Sequence, residues 1–176
     1  EHLAYHDSLT QLPNRSLLAD RMQMALAQAK RNNTLAAVAY LDLDGFKPVN
    51  DRLGHDTGDR LLIEIARRLQ ASTRTGDTVA RLGGDEFVLI YNGLEHTDEC
   101  EQVFKRLLAT IAEPILIDGH ELRVTASIGV TLCPLDGSDP DTLLRHADQA
   151  MYLAKQAGRN AFQLFDPERD RRLRAH

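Results

Sequence analysis

A Gly-Gly pair, Gly83 and Gly84, constrains the fold of this chain more than any other feature of its sequence. The pair lies within residues 78–90, between two short apolar runs. Two glycines in that setting predict a β-hairpin with a type I′ turn, because both central residues of such a turn need positive φ, which glycine adopts at little cost. Two adjacent carboxylates, Asp85 and Glu86, then lie at the hairpin tip.

A second acidic cluster ends the apolar run 35–43, where Asp42 and Asp44 lie next to Gly45. If this strand end meets the hairpin tip, the carboxylates of both clusters crowd together, and their repulsion requires a cation. Either cluster alone is also explained by a solvated turn or strand end, but the two together favour a metal site. Asp44 has an alternative role as the cap of the short helix that is predicted to follow it.

Hydrophobic periodicity predicts an α+β domain in which helices flank a mainly antiparallel sheet, a ferredoxin-like arrangement. Asp118-Gly119 predicts a second two-residue hairpin turn. The predicted helices cover residues 15–31, 46–53, 57–72, 98–112 and 141–157, and the predicted strands cover 35–43, 78–82, 86–91, 115–117, 121–123, 123–132 and 161–164.

The composition argues against several functional classes. The 176 residues carry a net charge of -5 and include no Trp, which disfavours a surface for nucleic acid or for an anionic membrane. No apolar run approaches the roughly 20 residues of a membrane helix, so we expect no membrane contact by this segment. Cys100 and Cys133 are too few for a disulfide framework, so we expect reduced thiols and a cytoplasmic location.

The chain resembles the GGDEF family, the diguanylate cyclases. The resemblance implies a palm fold, which the family shares with class III nucleotide cyclases and many polymerases. Gln11, at a position where the family often has glycine, is the main departure from the family pattern. The matching blocks, in chain order, are residues 7–15 (DSLTQLPNR), 46–51 (FKPVND), 54–59 (GHDTGD), 83–87 (GGDEF) and 147–160 (ADQAMYLAKQAGRN).

The resemblance implies a site for two divalent metal ions, Mg²⁺ or Mn²⁺, in each half of a dimeric active site. Asp42 and Asp85 are the family's metal-binding carboxylates, together with the backbone carbonyl of Leu43. Glu86 matches a second signature acid, which contacts the metal or helps to deprotonate the 3′-hydroxyl. Hard oxygen ligands of this kind suit both ions.

The resemblance also implies a site for GTP. Asn50 and Asp59 are carried over as the residues that select guanine, whose N1–H and 2-amino group a carboxylate can accept together. Asp59 has an alternative role as an acid that the helix dipole favours near a helix N-terminus. Lys155 and Arg159 are also explained as ordinary charges that the dipole favours near a helix C-terminus. The positions implied in phosphate binding are Gly45, Phe46, Lys47, Lys155 and Arg159.

A separate site is implied by Arg74 and Asp77, an R-x-x-D pair placed shortly before the Gly-Gly signature. The family keeps its product-inhibition site, which binds cyclic di-GMP, at this offset. A guanidinium suits phosphate or the Hoogsteen edge of guanine, and a carboxylate can accept from the base. The alternative explanation is a polar loop after a helix.

Together these features predict a diguanylate cyclase domain that condenses two GTP into cyclic di-GMP and two pyrophosphates as a homodimer. The alternative is a non-catalytic regulatory module that binds GTP or senses cyclic di-GMP. We expect an excised segment with an N-terminal linker at 1–14, the cyclase domain at 15–165 and the start of a linker helix at 166–176. A fused sensor and an EAL phosphodiesterase domain are the expected neighbours.

Overall fold

The computed structural model describes residues 2–168, and the part of the predicted linker helix at 169–176 lies outside the described residues. The helices are α1 (His2–Tyr5), α2 (Arg15–Asn32), α3 (Phe46–Leu53), α4 (His55–Ala71), α5 (Glu99–Ala112) and α6 (Pro140–Gln156). The strands are β1 (Leu35–Asp44), β2 (Thr78–Gly83), β3 (Glu86–Leu94), β4 (Ile115–Ile117), β5 (His120–Leu122), β6 (Thr125–Cys133) and β7 (Ala161–Leu164).

A five-stranded sheet with the order β2-β3-β1-β6-β7 organises the domain. Strand β1 pairs antiparallel with β3 and β6, β2 pairs antiparallel with β3, and β7 runs parallel to β6. Strands β4 and β5 form a separate hairpin, whose Asp118-Gly119 turn has positive φ at both residues, as predicted. The predicted α+β fold with a mainly antiparallel sheet is confirmed.

The two faces of the sheet belong to different hydrophobic clusters, because side chains alternate along a strand. On β1, Ala37, Ala39 and Leu41 pack in the cluster that includes helices α4 and α5. Ala36 and Val38 pack in the cluster that includes α2 and α6. By the same alternation the acidic residues at the end of β1 lie on the face covered by α6.

Gly129 explains how closely α6 approaches this face. A Cβ atom at Gly129 would lie 2.0 Å from the carbonyl oxygen of Ala147 and 2.1 Å from the amide nitrogen of Met151. Only a residue without a side chain therefore allows the α6 backbone to rest directly on β6. This close packing brings the C-terminal end of α6 to the C-terminal end of β1.

The hairpin between β2 and β3 is present, but the predicted turn is wrong by one residue. Gly83 pairs with Glu86, so Gly84 and Asp85 are the two central residues. Gly84 has φ +50 and Asp85 is not among the residues with positive φ, so the predicted type I′ turn is also wrong. Gly83 instead closes β2 with φ +147, next to a register shift. The shift places Asp85 in the turn itself.

The predicted capping role of Asp44 is wrong as well. Helix α3 begins after Gly45, which is its N-cap with φ +85, and no side chain caps it. The Asp44 carboxylate is instead hydrogen-bonded to β6.

Smaller differences concern boundaries. Helix α4 begins at His55 instead of residue 57, β5 spans His120–Leu122, and the short helix α1 was not predicted. Gln11, the departure from the family pattern, has φ +66, a left-handed conformation that glycine would adopt without strain.

Candidate active site

The hairpin tip docks against the end of β1, as the two acidic clusters predict. The amide of Leu43 donates a hydrogen bond of 3.2 Å to the carbonyl oxygen of Asp85. In the sheet, Asp42 is paired with Glu86 on one side and with Ser127 on the other. Asp42, Asp85 and Glu86 therefore hold neighbouring backbone positions at one end of the sheet.

Asp42 and Asp85 lie close together, and the donors around Asp42 satisfy only one of its two oxygens. Burial and the neighbouring carboxylates of Asp42 and Glu86 raise the pKa of Asp85 to about 6. Asp42 is 8% exposed, and its Oδ1 atom is buried without a hydrogen-bond partner. A buried acceptor without a donor costs free energy unless a proton or a cation joins it. These oxygen ligands fit Mg²⁺ or Mn²⁺.

The described residues would leave such an ion incompletely coordinated. Within residues 2–168 no three His, Cys, Asp or Glu side chains form a group able to hold a metal ion. Mg²⁺ usually binds through one or two carboxylates together with water and substrate phosphates. The arrangement therefore suits an ion that arrives with a phosphate ligand.

Lys155, near the end of α6, places its ammonium group against Asp42 Oδ2. Burial opposes its charge, but the hydrogen bond and the charge of Asp42, with those of Asp85 and Asp44, raise the pKa of Lys155. The side chain predicted to reach the triphosphate thus serves here as the counter-ion of a carboxylate. Its side chain is 30% exposed.

Glu86 has a partner that the sequence analysis missed. The hydroxyl of Tyr40 donates a 2.9 Å hydrogen bond to Glu86 Oε1. Burial and the Glu86 carboxylate both raise the pKa of Tyr40, so the phenol stays protonated and keeps donating. The sequence contains one signal for this contact: Tyr40 and Asp42 are two residues apart on β1, so both side chains lie on the same face of the strand.

Helices α3 and α4 bring the other predicted binding residues to the same end of the sheet. Gly45 and Phe46 lie at the start of α3, where the first backbone N–H groups lack helical partners and favour an anion. Lys47 is exposed in the first turn of the helix. These three residues follow directly after Asp44, so a phosphate bound here lies close to the carboxylates.

Asn50 lies where α3 packs against α4. A Cβ atom at Gly58 would lie 2.2 Å from Asn50 Oδ1, so the missing side chain at Gly58 lets the Asn50 amide lie against the first turn of α4, and Asp59 is the next residue of that helix. His55 Nδ1 lies 3.2 Å from Asn50 Nδ2. His55 and Gly58 therefore orient Asn50, roles that were not assigned from sequence.

Arg74 and Asp77 lie at the opposite end of β2 from the hairpin turn. The Asp77 side chain is only 2% exposed, and its oxygens accept from the backbone amides of Arg74 and Asn92 at 3.0 Å. Arg74 donates to the Asn92 carbonyl at 2.7 Å and remains 68% exposed. Both residues border a cavity of about 320 Å³.

Arg159 follows the end of α6 and approaches Asp44, with 3.9 Å between Nε and Oδ1. Its side chain is 62% exposed. Direct contacts therefore join Asp42 to Lys155 and to Asp85, and Asp44 to Arg159, whereas the Arg74–Asp77 pair lies at the other end of β2. Among the described helices, none is long and apolar enough to cross a membrane.

Comparison with known proteins agrees with this geometry. A family model described as "Diguanylate cyclase, GGDEF domain" matches residues 4–161. The chain is 50% identical over 93% of its length to the bifunctional diguanylate cyclase/cyclic di-GMP phosphodiesterase MucR of Pseudomonas aeruginosa, and 41% identical over 93% to the diguanylate cyclase TpbB of the same species. It spans only 24% and 38% of these two proteins.

Solved structures show the same fold. The GGDEF domain of TpbB from P. aeruginosa superposes with a TM-score of 0.91 at 39% identity, covering 96% of this chain and 99% of the other. The GGDEF domain of DgcB from Caulobacter crescentus, in complex with c-di-GMP, gives a TM-score of 0.82 at 28% identity, covering 93% and 94%. The resemblance found in the sequence is confirmed.

Proposed function

Because the chain belongs to the GGDEF family of diguanylate cyclases, we propose that it condenses two GTP molecules into cyclic di-GMP and two pyrophosphates. The observation that carries this proposal is the pair Asp42 and Asp85, two close carboxylates of which one has a buried oxygen without a donor. They would hold Mg²⁺ or Mn²⁺, two ions per half-site, with the Leu43 carbonyl. Such ions neutralise phosphate charge and lower the pKa of an attacking hydroxyl.

The chain supplies half of the reaction centre. Each subunit of a homodimer holds one GTP, and the 3′-oxygen of each nucleotide attacks the α-phosphorus of the other. A 3′-O–P bond forms, the bond from the α-phosphorus to the bridging oxygen breaks, and pyrophosphate leaves; the step occurs twice. The proton of the 3′-hydroxyl passes to Glu86, whose carboxylate is held in place by Tyr40.

The base and the phosphates of GTP are held by different residues. Asp59 accepts from N1–H and the 2-amino group of guanine, and Asn50 donates to a ring acceptor. Adenine lacks this pair of donors, so the site rejects ATP. The triphosphate is held by the first N–H groups of α3, at Gly45 and Phe46, and by a set of side-chain cations. That set is Lys47, Lys155 and Arg159.

Binding of GTP exchanges ion pairs. Lys155 leaves Asp42 for a phosphate oxygen, and the released carboxylate becomes available to the divalent ion. The charge of the site stays balanced, because the negative charges of GTP enter together with the divalent ion that neutralises them. Affinity for GTP is therefore expected to depend on the divalent ion.

Product binding is proposed at Arg74. Its exposed guanidinium can reach a phosphate of cyclic di-GMP, and the buried Asp77 holds the loop that presents it. The c-di-GMP complex of the related DgcB domain supports a product-binding role. We further propose that the parent protein joins this domain to a sensor and an EAL domain and that the domain works in the cytoplasm, where GTP is available.

The test is GTP turnover by the purified domain with Mg²⁺ or Mn²⁺, with the product identified by mass. Cyclic di-GMP that disappears in Asp85→Ala, with specific activity falling on dilution, is the expected result. ATP beside GTP tests base selection. A mononucleotide product, or turnover independent of protein concentration, would contradict the proposal. A domain that is silent when fused to a dimerising coiled coil would contradict it too.

The second candidate function is a regulatory module that binds GTP or cyclic di-GMP without turnover. Two relatives favour it: the cyclic di-GMP phosphodiesterases NbdA of P. aeruginosa and PdeR of Escherichia coli, which are named for breakdown of cyclic di-GMP and not for its synthesis. This chain is 40% and 39% identical to them over 93% and 97% of its length. Saturable GTP binding without any product would support the second function over the first.

A further inference from the structure

Asp44 is a carboxylate whose two oxygens are both fully used inside the fold. Oδ1 accepts a 2.8 Å hydrogen bond from the hydroxyl of Ser127, and Oδ2 accepts from the hydroxyl of Thr125 at 2.9 Å. Oδ2 also accepts from the backbone amide of Asn160 at 3.1 Å, and Arg159 Nε lies 3.9 Å from Oδ1. Asp44 itself is 9% exposed. Its donors come from β6 and from the turn after α6.

The turn held by Asp44 is strained. Arg159 and Asn160 are consecutive residues other than glycine with φ +66 and φ +48. Side chains rarely adopt this left-handed conformation, and it persists only where the surroundings impose it. The hydrogen bond from the Asn160 amide to Asp44 is such a constraint, because it fixes the backbone at the strained residue.

The same turn carries the cations proposed for phosphate binding. Lys155 lies in the last turn of α6 and contacts Asp42, and Arg159 follows three residues after the helix ends. Asp44 therefore ties this segment to β1 at a point two residues from Asp42. Lys155 also ties the end of α6 to Asp42, and the Arg159 amide donates to the Ala154 carbonyl at 3.1 Å. The bond from the Asn160 amide to Asp44 adds a tie between β1 and the residues beyond the helix.

We propose that Asp44 is a positioning residue for phosphate recognition: it holds the Arg159–Asn160 turn so that Arg159 and Lys155 face the triphosphate. The inference rests on the proposed GTP site. Asp44 does not serve as a metal ligand in this assignment, since its oxygens are occupied by donors, whereas Asp42 Oδ1 has none. It acts through the backbone and not on the reacting atoms.

The test compares binding of GTP and GMP to Asp44→Asn by titration calorimetry with Mg²⁺. An Asn side chain has one acceptor oxygen in place of two. When that oxygen faces the Ser127 hydroxyl, the NH₂ group lies at the Asn160 amide and cannot accept from it. We expect affinity for GTP to fall about tenfold more than affinity for GMP, the scale of one charged hydrogen bond. Selectivity for GTP over ATP should stay unchanged, and hydrogen exchange at the Asn160 amide should accelerate. Asp20→Asn, an exposed carboxylate on α2, is the matched control.

The outcomes separate this inference from the proposed function. Equal losses for GTP and GMP would show a merely structural role and overturn the inference alone. Selective loss of GTP binding, in a chain that makes no cyclic di-GMP, would overturn the cyclase alone. A chain that binds no GTP would overturn both. If Asp44→Asn does not fold, Thr125→Val, which removes the hydroxyl that orients Asp44 Oδ2 beside the Asn160 amide, should give the same selective loss to a smaller extent.

Discussion

Asp42 and Asp44 lie two residues apart on one face of β1, yet their surroundings are opposite. Asp44 accepts hydrogen bonds from two hydroxyls and a backbone amide, and both its oxygens are satisfied. Asp42 has a lysine on one oxygen, no donor on the other, and the carboxylate of Asp85 nearby. The chain thus places one satisfied and one unsatisfied acid at the same strand end.

The contrast separates a carboxylate that stabilises the fold, Asp44, from a carboxylate that is left for a ligand, Asp42. A satisfied buried carboxylate stabilises the structure that supplies its donors. An unsatisfied pair costs stability and persists where function requires it, as at many active sites. Asp7 belongs to the first kind and Asp85 to the second: hydrogen bonds lower the pKa of Asp7, and burial raises that of Asp85.

The largest expected effect is on turnover. Asp85→Asn should reduce cyclic di-GMP formation by at least about 100-fold, because it removes a charge that holds the divalent ion. The same change should raise the free energy of unfolding at pH 7 by about 1 kcal/mol, since a screened repulsion with Asp42 disappears. Turnover and urea denaturation measure the two effects. An Asp85→Asn variant that is both active and less stable would show that Asp85 serves the fold and not the divalent ion.

The opposite pattern is expected at the satisfied acid. Asp44→Ala should lower the free energy of unfolding by about 2–3 kcal/mol, because the buried Ser127 hydroxyl and the Asn160 amide lose their acceptor. For a domain of this size, the melting temperature should fall by about 5–10 °C. Asp20→Ala is the exposed control. Unchanged stability would show that the fold does not depend on the hydrogen bonds of Asp44, and the contrast with Asp42 would be wrong.

A third acid sharpens the comparison through its pH dependence. Burial opposes ionisation of Asp7, but hydrogen bonds from Thr10 and Arg81 outweigh it and lower the pKa below 3.8. The stabilisation is therefore complete above pH 3.8 and is lost as the pH falls through the folded-state value. Arg81 also donates to the Gly84 carbonyl, so the pair braces the hairpin turn.

We expect Asp7→Asn to lower the free energy of unfolding at pH 6 by about 1 kcal/mol. The difference from the unaltered chain should shrink as the pH falls below 3.8 and through the lowered folded-state pKa of Asp7, because the aspartate then becomes uncharged. Denaturation curves from pH 3 to pH 6 test this. A difference that grows as the pH falls would show that Asp7 is not stabilised as an anion.

The smallest effect is expected at Tyr40. Tyr40→Phe removes the hydrogen bond to Glu86 and should lower kcat by about threefold to tenfold, the value of one hydrogen bond. KM should change little, because Tyr40 touches no predicted substrate group. Steady-state kinetics with GTP gives both constants. A change in KM alone would assign Glu86 to binding instead of proton transfer.

Much of this picture could be predicted from local signals. The periodicity of α2, α4, α5 and α6, the apolar run of β1 and the Asp118-Gly119 turn indicated the elements and the fold class. Local signals placed the hairpin but misplaced its turn, because the register shift beside Gly83 depends on pairing with β3. The motif blocks placed Asp42, Asp85 and their neighbours in one site, and the structure does bring them together.

The sequence by itself determined which chemical groups are available and in what order: two acidic clusters, a helix start for phosphate, and cations near the end of α6. Only the tertiary structure decided which acid is satisfied. The donors of Asp44 lie 81, 83 and 116 residues away, and the lysine on Asp42 lies 113 residues away. Hydrogen-bond satisfaction is a property of contacts at such distances along the chain. No local pattern around Asp42 and Asp44 could therefore tell the two carboxylates apart.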